Sequence, residues 1–516
     1  MGRRRLTYVE KVQLQQEQFD LFTEFMWMGW TALKTVVKSM FKKKKRKPAK
    51  KKTGERELYP YQEDGVKRLC KVFKKPGPKA GTILGDDAGL GKTIQTLRTL
   101  KTDPAKFLPA LVVCPAHLKV TWQRECAMEG LTTEILSTTK PWRLPKAQVY
   151  IINYEILDPW RDALESAGLR FVAFDEAHRI TNPEARCTVE SRGIAKNIDH
   201  RLALTATAVV NRPAEMWSIL NITRPKLFPH LFPFATTYCS ETKLERGRWR
   251  FGGAMNLLAL HSKLVRKNVL IRRRKQDVLK DLPLKVRTII PVELSPKAMK
   301  QYHMALNDFN GWLREYKPER AFGSKRTEAL KKIGYMLRLV GGLKLPFIQD
   351  WVDDFLAGGE KLMVGGLHYH VLEPLRDRYL KRCVLVNGKV PEKQRQPLFD
   401  KFNFDPACDL FLGNLKAAGT GWSCMSTSHS AVIELPWAPA HLDQWEGRIH
   451  GIERGKKGDA SANYYYFLAK DTLEMPLVEL LDKKALTADA ILDGREGASQ
   501  FNVLDELLKI LKRRAS

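Results

Sequence analysis

The sequence predicts an α/β protein of two parallel-sheet lobes with helical protrusions between them. Three observations predict it. At 516 residues the chain exceeds what one hydrophobic core ordinarily serves. Two series of short, nearly uninterrupted apolar segments recur, separated by stretches with helical spacing, which is how strands covered on both faces read. Those segments end in small or polar residues, as parallel strands do whose carboxyl ends carry a site. Composition agrees, since 44% hydrophobic and 28% charged residues belong to a globular chain.

Taken in order, residues 1–57 are expected to form a helix and a basic linker. FDLFTEFMWMGWTALKTVVKSM (19–40) is apolar but holds Asp20, Glu24, Lys34 and Lys38. It is too charged to span a bilayer and is unlike a cleaved signal, so it reads as an amphipathic helix docking on the body or on DNA. KKKKRKPAKKK (42–52) reads as a flexible basic linker. Nonspecific phosphate binding accounts for it as well as a nuclear signal does. The basic surplus does not end there. Residues 1–57 hold 16 basic and 6 acidic residues, and a net +21 of the total +31 lies in the body. Such a balance points to a polyanion partner, nucleic acid rather than membrane.

The first lobe is expected over 58–290, with strands at 81–85, 110–114, 149–153, 171–174 and 201–205. After the first comes ILGDDAGLGKTIQTL (83–97), a glycine-bearing loop that runs into a helix from about Thr93. Backbone N–H groups at a helix N-terminus wrap phosphates, Lys92 neutralises them, and Thr93 coordinates Mg2+. The usual pattern has a glycine where this loop has Asp86. FVAFDEAH (171–178) then delivers two carboxylates at a strand end. Asp175 is assigned to hold Mg2+ through water, and Glu176 to polarise the attacking water. A lone acidic pair there would read as solvated surface charge; with the loop 83 residues upstream it reads as an ATP site.

Between the lobes, 215–355 is richer in helix-like periodicity and basic residues, as in LVRKNVLIRRRKQDVLK (264–280), and is read as helical material. The second lobe is expected over 291–485, with strands at 361–365, 383–387, 409–413, 431–435 and 464–468, followed by a helical tail over 486–516. Eight scattered cysteines without a CxxC pair imply a reducing compartment and no structural zinc. His368 and His370 lack a third ligand nearby in sequence and read as a strand end rather than a metal site.

These motifs resemble the Swi/Snf-type DNA translocases of helicase superfamily two, in which an acidic residue normally replaces the first glycine of the loop. LYPYQEDGV (58–66), LVVCPAHLKVTWQRE (111–125), DEAHRITNP (175–183) and LTATAVVNRPAEMWSILNITRP (204–225) resemble the Q motif and motifs Ia, II and III. LIRRRKQDVLKDLPLKVR (270–287) is a family signature, and VNGKVPEKQRQPLFDKFN (386–403), NLKAAGTGW (414–422) and IELPWAPAHLDQWEGRIH (433–450) resemble motifs IVa, V and VI. YCSETKLERGRWRFGGAMNLLAL (238–260) looks like the fork-remodelling annealing helicases. That branch's fork-recognition module is not evident.

The resemblance implies two RecA-like lobes with ATP and Mg2+ at their cleft. It implies that Gln62 reads the adenine edge, and that Asp87, Gly89, Gly91, Lys92, Thr93 and Gly421 contact the nucleotide. His178, Thr205 and Thr207 would couple hydrolysis to lobe movement. Lys119, Trp122, Asn211, Arg212, Lys416, Gly419 and Thr420 are the implied DNA contacts, with a packing role the alternative for Trp122. Trp422 and Trp437 read as packing residues. Motif VI departs from the family: Arg448 stands at the first arginine place, but Gly451 at the second. Arg448 is therefore assigned as one finger and Arg454, one helical turn on, as its companion, with a place in the basic surface beside Lys456 and Lys457 the alternative for Arg454. The implied activity is that of a monomeric, DNA-stimulated ATPase moving along duplex or branched DNA independently of sequence, to remodel or anneal it. A strand-separating DNA or RNA helicase, and a DNA clamp with a decayed ATP site, are the other readings. The location would be cytoplasmic in a bacterial or viral host and nuclear in a eukaryote.

Overall fold

The computed structural model describes residues 56–74, 81–206, 213–245, 248–279, 284–315, 324–415, 418, 422, 424–437, 439–450, 461–481, 507, 508, 510 and 511. Residues Glu57–Ser516 form one compact unit. Its first sheet contains β1 (Gly81–Leu84), β2 (Ala110–Cys114), β3 (Thr133–Ile135), β4 (Val149–Asn153), β5 (Phe171–Asp175) and β6 (His200–Leu204). An antiparallel hairpin, β7 (Glu241–Glu245) and β8 (Arg248–Gly252), stands apart, and β9 (Leu270–Ile271) returns to the sheet. The order is β3-β4-β2-β5-β6-β1-β9, every pair parallel. The second sheet contains β10 (Leu284–Val292), β11 (Leu362–Gly366), β12 (Cys383–Val386), β13 (Leu410–Asn414), β14 (His429–Val432) and β15 (Ser461–Ala469). Its order is β10-β15-β14-β11-β13-β12, again all parallel.

The continuous apolar strands are explained by cover on both faces. In β2, Leu111 and Val113 enter one core while Ala110, Val112 and Cys114 enter the other. Helices Pro60–Val72, Lys92–Thr102 and Lys119–Met128 fill the second of these cores with Leu69, Leu97, Leu100, Trp122 and Cys126. Helix Pro213–Thr223 fills the first with Met216, Trp217, Ile219 and Leu220. The second lobe repeats the scheme: in β13, Phe411 joins the core around Trp445, and Leu410 and Leu412 the core around Ile348 and Val352.

Several expectations are revised. The stretch 264–280 is not one helix. Helix Leu257–Arg266 stops where Asn268 turns left-handed (φ 53°), and Leu270 and Ile271 then extend as an edge strand beside β1. The boundary expected at 290/291 falls inside β10, whose nine residues all pair with β15 of the second sheet. The short strand β3 and the β7–β8 hairpin were not expected. Leu507, Leu508 and Leu511 of the tail are buried in the second-lobe core. Trp422 stacks on Phe399 (centroids 4.4 Å apart, 5° between planes), and Trp437 packs on the same core. His368 caps helix Tyr369–Arg378, with Nδ1 2.6 Å from Glu434 Oε1. Among the described residues no helix is long and apolar enough to cross a membrane.

Candidate functional site

β1 and β5 are parallel and separated only by β6, so the loop after β1 and the acidic pair after β5 emerge at one sheet edge. Thr205, fully buried, closes the gap by donating its N–H to Leu84 O at 3.3 Å. The loop turns at Gly89 and Gly91, both left-handed (φ 86° and 76°), a conformation that favours glycine. Lys92 opens helix Lys92–Thr102, with half-buried Thr93 second. The Lys92 ammonium donates to Asp86 O (2.8 Å) and Asp87 O (3.4 Å). Gln62 lies beneath the loop: its Oε1 accepts from Tyr59 N–H (3.0 Å) and its Nε2 donates to Leu90 O (3.3 Å).

Asp86 is fully buried and faces the basic signature. Arg273 donates to it from N (2.9 Å), Nε (3.2 Å) and Nη2 (3.0 Å), and Gln95 Nε2 adds a fourth bond at 3.1 Å. Asp87, expected at the nucleotide, faces the same way: it accepts Lys275 N–H (2.9 Å) and lies 3.1 Å from Arg272 Nη1. A carboxylate so placed fixes the signature to the loop; aimed at phosphates it would repel them.

At the end of β5, Glu176 takes a left-handed backbone (φ 49°), a strained conformation of the kind that collects at functional sites. Its N–H donates to Asp175 Oδ1 (2.9 Å), and Tyr154 OH donates to Asp175 O (2.7 Å). Burial pushes the Asp175 carboxyl up to about 6, and the neighbouring Glu176 charge adds to it. Burial would raise Glu176 too, but the His178 ring, with Nδ1 3.2 Å away, and the charges of Lys92 and Arg448 hold it below its ordinary value. Trp122 corrects an expectation. Its side chain is 1% exposed and its Nε1 donates to Asp175 Oδ2 at 2.8 Å, so it positions the acid and does not face DNA. Helical spacing explains this, because Trp122 and Cys126 share the buried face of their helix. Lys119 spends its ammonium on Asn153 Oδ1 (2.9 Å) and Leu136 O (3.3 Å).

The second lobe reaches this edge through the segment around helix Pro439–Glu446. At Gly447 a methyl group would lie 3.6 Å from Ala88 Cβ in the loop. Arg448 donates from Nε to Gln444 O (3.0 Å) and from Nη1 to Trp422 O. Burial lowers its guanidinium to about 10, against the opposing charge of Glu176. Lys92, Asp175, Glu176, His178 and Arg448 are thus brought together. Thr207, Asn211, Arg212, Lys416, Gly419, Thr420, Gly421, Gly451 and Arg454 lie outside the described residues.

Residues 34–335, more than half of the chain, match the SNF2-related domain, and residues 358–453 match the helicase conserved C-terminal domain. The chain belongs to the SNF2-related family. Among curated proteins it is similar to the DNA annealing helicase and endonuclease ZRANB3 of Mus musculus, 27% identical over 456 residues, which are 85% of this chain and 41% of that one. It is also similar to the SWI/SNF-related matrix-associated actin-dependent regulator of chromatin subfamily A-like protein 1 of Xenopus laevis, 27% identical over 457 residues, covering 86% and 44%. The chain therefore spans under half the length of these relatives. Among solved structures it is similar to the Sulfolobus solfataricus SWI2/SNF2 ATPase core in complex with dsDNA, at 21% identity and a TM-score of 0.40, covering 85% of this chain and 94% of that one.

The family signature has a physical task that motif reading missed. Its first half binds the loop of one lobe through Arg272 and Arg273; its second half binds the other lobe. Arg287 donates from Nε (2.7 Å) and Nη2 (2.8 Å) to the fully buried Glu446, which also pairs with Lys285. A signal existed in the sequence: adjacent aspartates in the loop, and an arginine run elsewhere whose charge had no assigned counterpart.

Proposed function

We propose that this SNF2-related chain is a DNA-stimulated ATPase that moves along duplex or branched DNA and remodels or anneals it. The observation that carries the reading is convergence: Lys92, Asp175 and Glu176 of the first lobe come together with Arg448 of the second, whose neighbour Gly447 lies against Ala88 of the loop. Fit to a nucleotide is supported by Lys92, whose ammonium donates to two loop carbonyls among the described residues and suits an arriving polyphosphate. Thr93 and Asp175 would hold Mg2+, which when bound supplies positive charge at the β- and γ-phosphates. Glu176, kept ionised by His178, orients and polarises water. Arg448 reaches the terminal phosphate across the cleft, and Arg454 remains its proposed companion. For Gln62 to read adenine, its bond to Leu90 O of the loop or its bond from Tyr59 N–H would have to be exchanged. The DNA half of the reading is supported by the basic body and by relatives named as annealing helicases. Asn211, Arg212, Lys416, Gly419 and Thr420 are the proposed strand contacts, through phosphates rather than bases.

The test compares ATP turnover with no DNA, single-stranded, duplex and forked DNA, for wild type and Lys92→Ala. Wild type should respond most to duplex or fork. Lys92→Ala should lose turnover by about 100-fold or more while DNA affinity persists, because its cation lies in the loop and is not among the proposed strand contacts. Equal turnover in the variant would remove the proposed site. Stimulation by single strands alone would mark a strand-separating enzyme, and tight DNA binding without turnover a clamp.

A further inference from the structure

The signature segment 270–287 carries six basic side chains among its described residues, and five of them face carboxylates. Arg272 lies 3.1 Å from Asp87, Arg273 3.0 Å from Asp86 and Arg274 2.7 Å from Asp277, while Lys285 and Arg287 share Glu446. Lys275 is the exception. Its residue is 8% exposed, yet its ammonium donates to a carbonyl, His450 O of the second lobe. Its position is fixed from behind, because its own N–H is bound to Asp87. In front it lies against the phosphate loop: a methyl on Gly89 would sit 3.2 Å from its Nζ.

A buried ammonium with one carbonyl acceptor among the described residues is expensive unless something negative joins it. Burial and the charge of Lys285 push Lys275 down to about 7 despite Asp87, and Arg448 and Lys92 add to the repulsion. Three cations therefore converge on the loop from different elements: Lys92 from its helix, Arg448 from the second lobe, and Lys275 from the segment that joins the lobes. Lys275 stands on the side of the loop that faces the second lobe, the side from which Arg448 also approaches beside Gly447.

We propose that Lys275 is a third cationic contact for the terminal phosphate of a bound nucleoside triphosphate, exchanging His450 O for that phosphate. The proposal rests on the reading of this site as an ATP site. The exchange releases the second-lobe chain just before Gly451, so nucleotide binding is felt in that lobe through one side chain.

The experiment measures binding of fluorescent ADP and of a fluorescent non-hydrolysable ATP analogue to the full chain, for wild type, Lys275→Ala, Lys275→Arg and Lys275→Met. A charged hydrogen bond to one phosphate predicts that Lys275→Ala weakens the analogue by about tenfold or more and ADP by less than about twofold. Lys275→Arg should recover part of the loss. Lys275→Met, which keeps the stem without the charge, should melt no lower than wild type in the absence of nucleotide. Equal weakening of both nucleotides, no weakening of either, or a clear loss of melting temperature in Lys275→Met overturns the proposal. Wild type that binds neither nucleotide overturns the ATP reading beneath it, a result distinct from any of these.

Discussion

Asp86 stands where a phosphate loop usually has glycine, and the backbone explains why that is tolerated. The left-handed turns of the loop fall at Gly89 and Gly91, while position 86 has no positive φ and makes no demand for glycine. What it requires is charge, since the Arg273 side chain is only 10% exposed and Asp86 is its nearest carboxylate. Asp86→Gly would make the loop look more ordinary and the protein worse. Removing one partner of a buried pair costs about 3–5 kcal/mol, so the variant should unfold at markedly lower urea. Asp86→Gly with Arg273→Met should recover part of that loss. An unchanged urea midpoint for the single variant would show that Tyr61 O, Asp64 and Gln95 suffice to hold the arginine. Single-residue placement was legible wherever spacing fixed direction: Lys92 after a strand and loop, Asp175 and Glu176 at a strand end. Trp122 was legible in position but not orientation, because a motif names a residue without saying which face of its helix is buried.

At the scale of elements, the strands were readable because burial on both faces leaves an unbroken apolar run. The ten expected strands all form, within a few residues of their expected ends. What escaped was the segment 264–287, where a basic stretch with helical spacing folds as helix, edge strand and interlobe connection. Its partners lie far away in sequence, and local periodicity cannot report them. The second-lobe end of this connection can be tested by pH. Burial alone would raise the Glu446 carboxyl, but the bonds from Arg287 and the charge of Lys285 pull it down to about 2. A carboxylate depressed on folding contributes stability that is present above its unfolded value, near 4.5, and is lost as pH falls toward the folded one. That shift corresponds to roughly 3 kcal/mol. Glu446→Gln should therefore unfold at lower urea than wild type at pH 7, and the gap should narrow as pH drops below about 4.5. A gap that stays constant down to pH 3 would mean that shape and hydrogen bonding, not charge, hold β10 to helix Pro439–Glu446.

For the whole molecule, charge says more about the partner than any single residue does. A net +31 shared between the N-terminal region and the body predicts binding dominated by phosphates, whose affinity falls steeply with salt. The two contributions can be separated. Residues 1–52 hold 15 basic and 4 acidic residues, about a third of the net charge, and none of the side chains that converge at the loop. Deleting them should weaken duplex affinity and flatten the plot of log affinity against log salt, by about 0.9 for every phosphate the shortened chain no longer neutralises. The ATPase should stay stimulated by DNA, with saturation merely displaced to higher DNA concentration, because Lys92, Asp175, Glu176 and Arg448 all lie in the remaining body. The family match begins at residue 34, inside the deleted region, which makes the experiment informative in both directions. If the shortened chain folds but DNA no longer stimulates it even at low salt, the region belongs to the motor. The domain boundary then lies upstream of residue 58, and the basic run is a coupling element rather than an electrostatic tether.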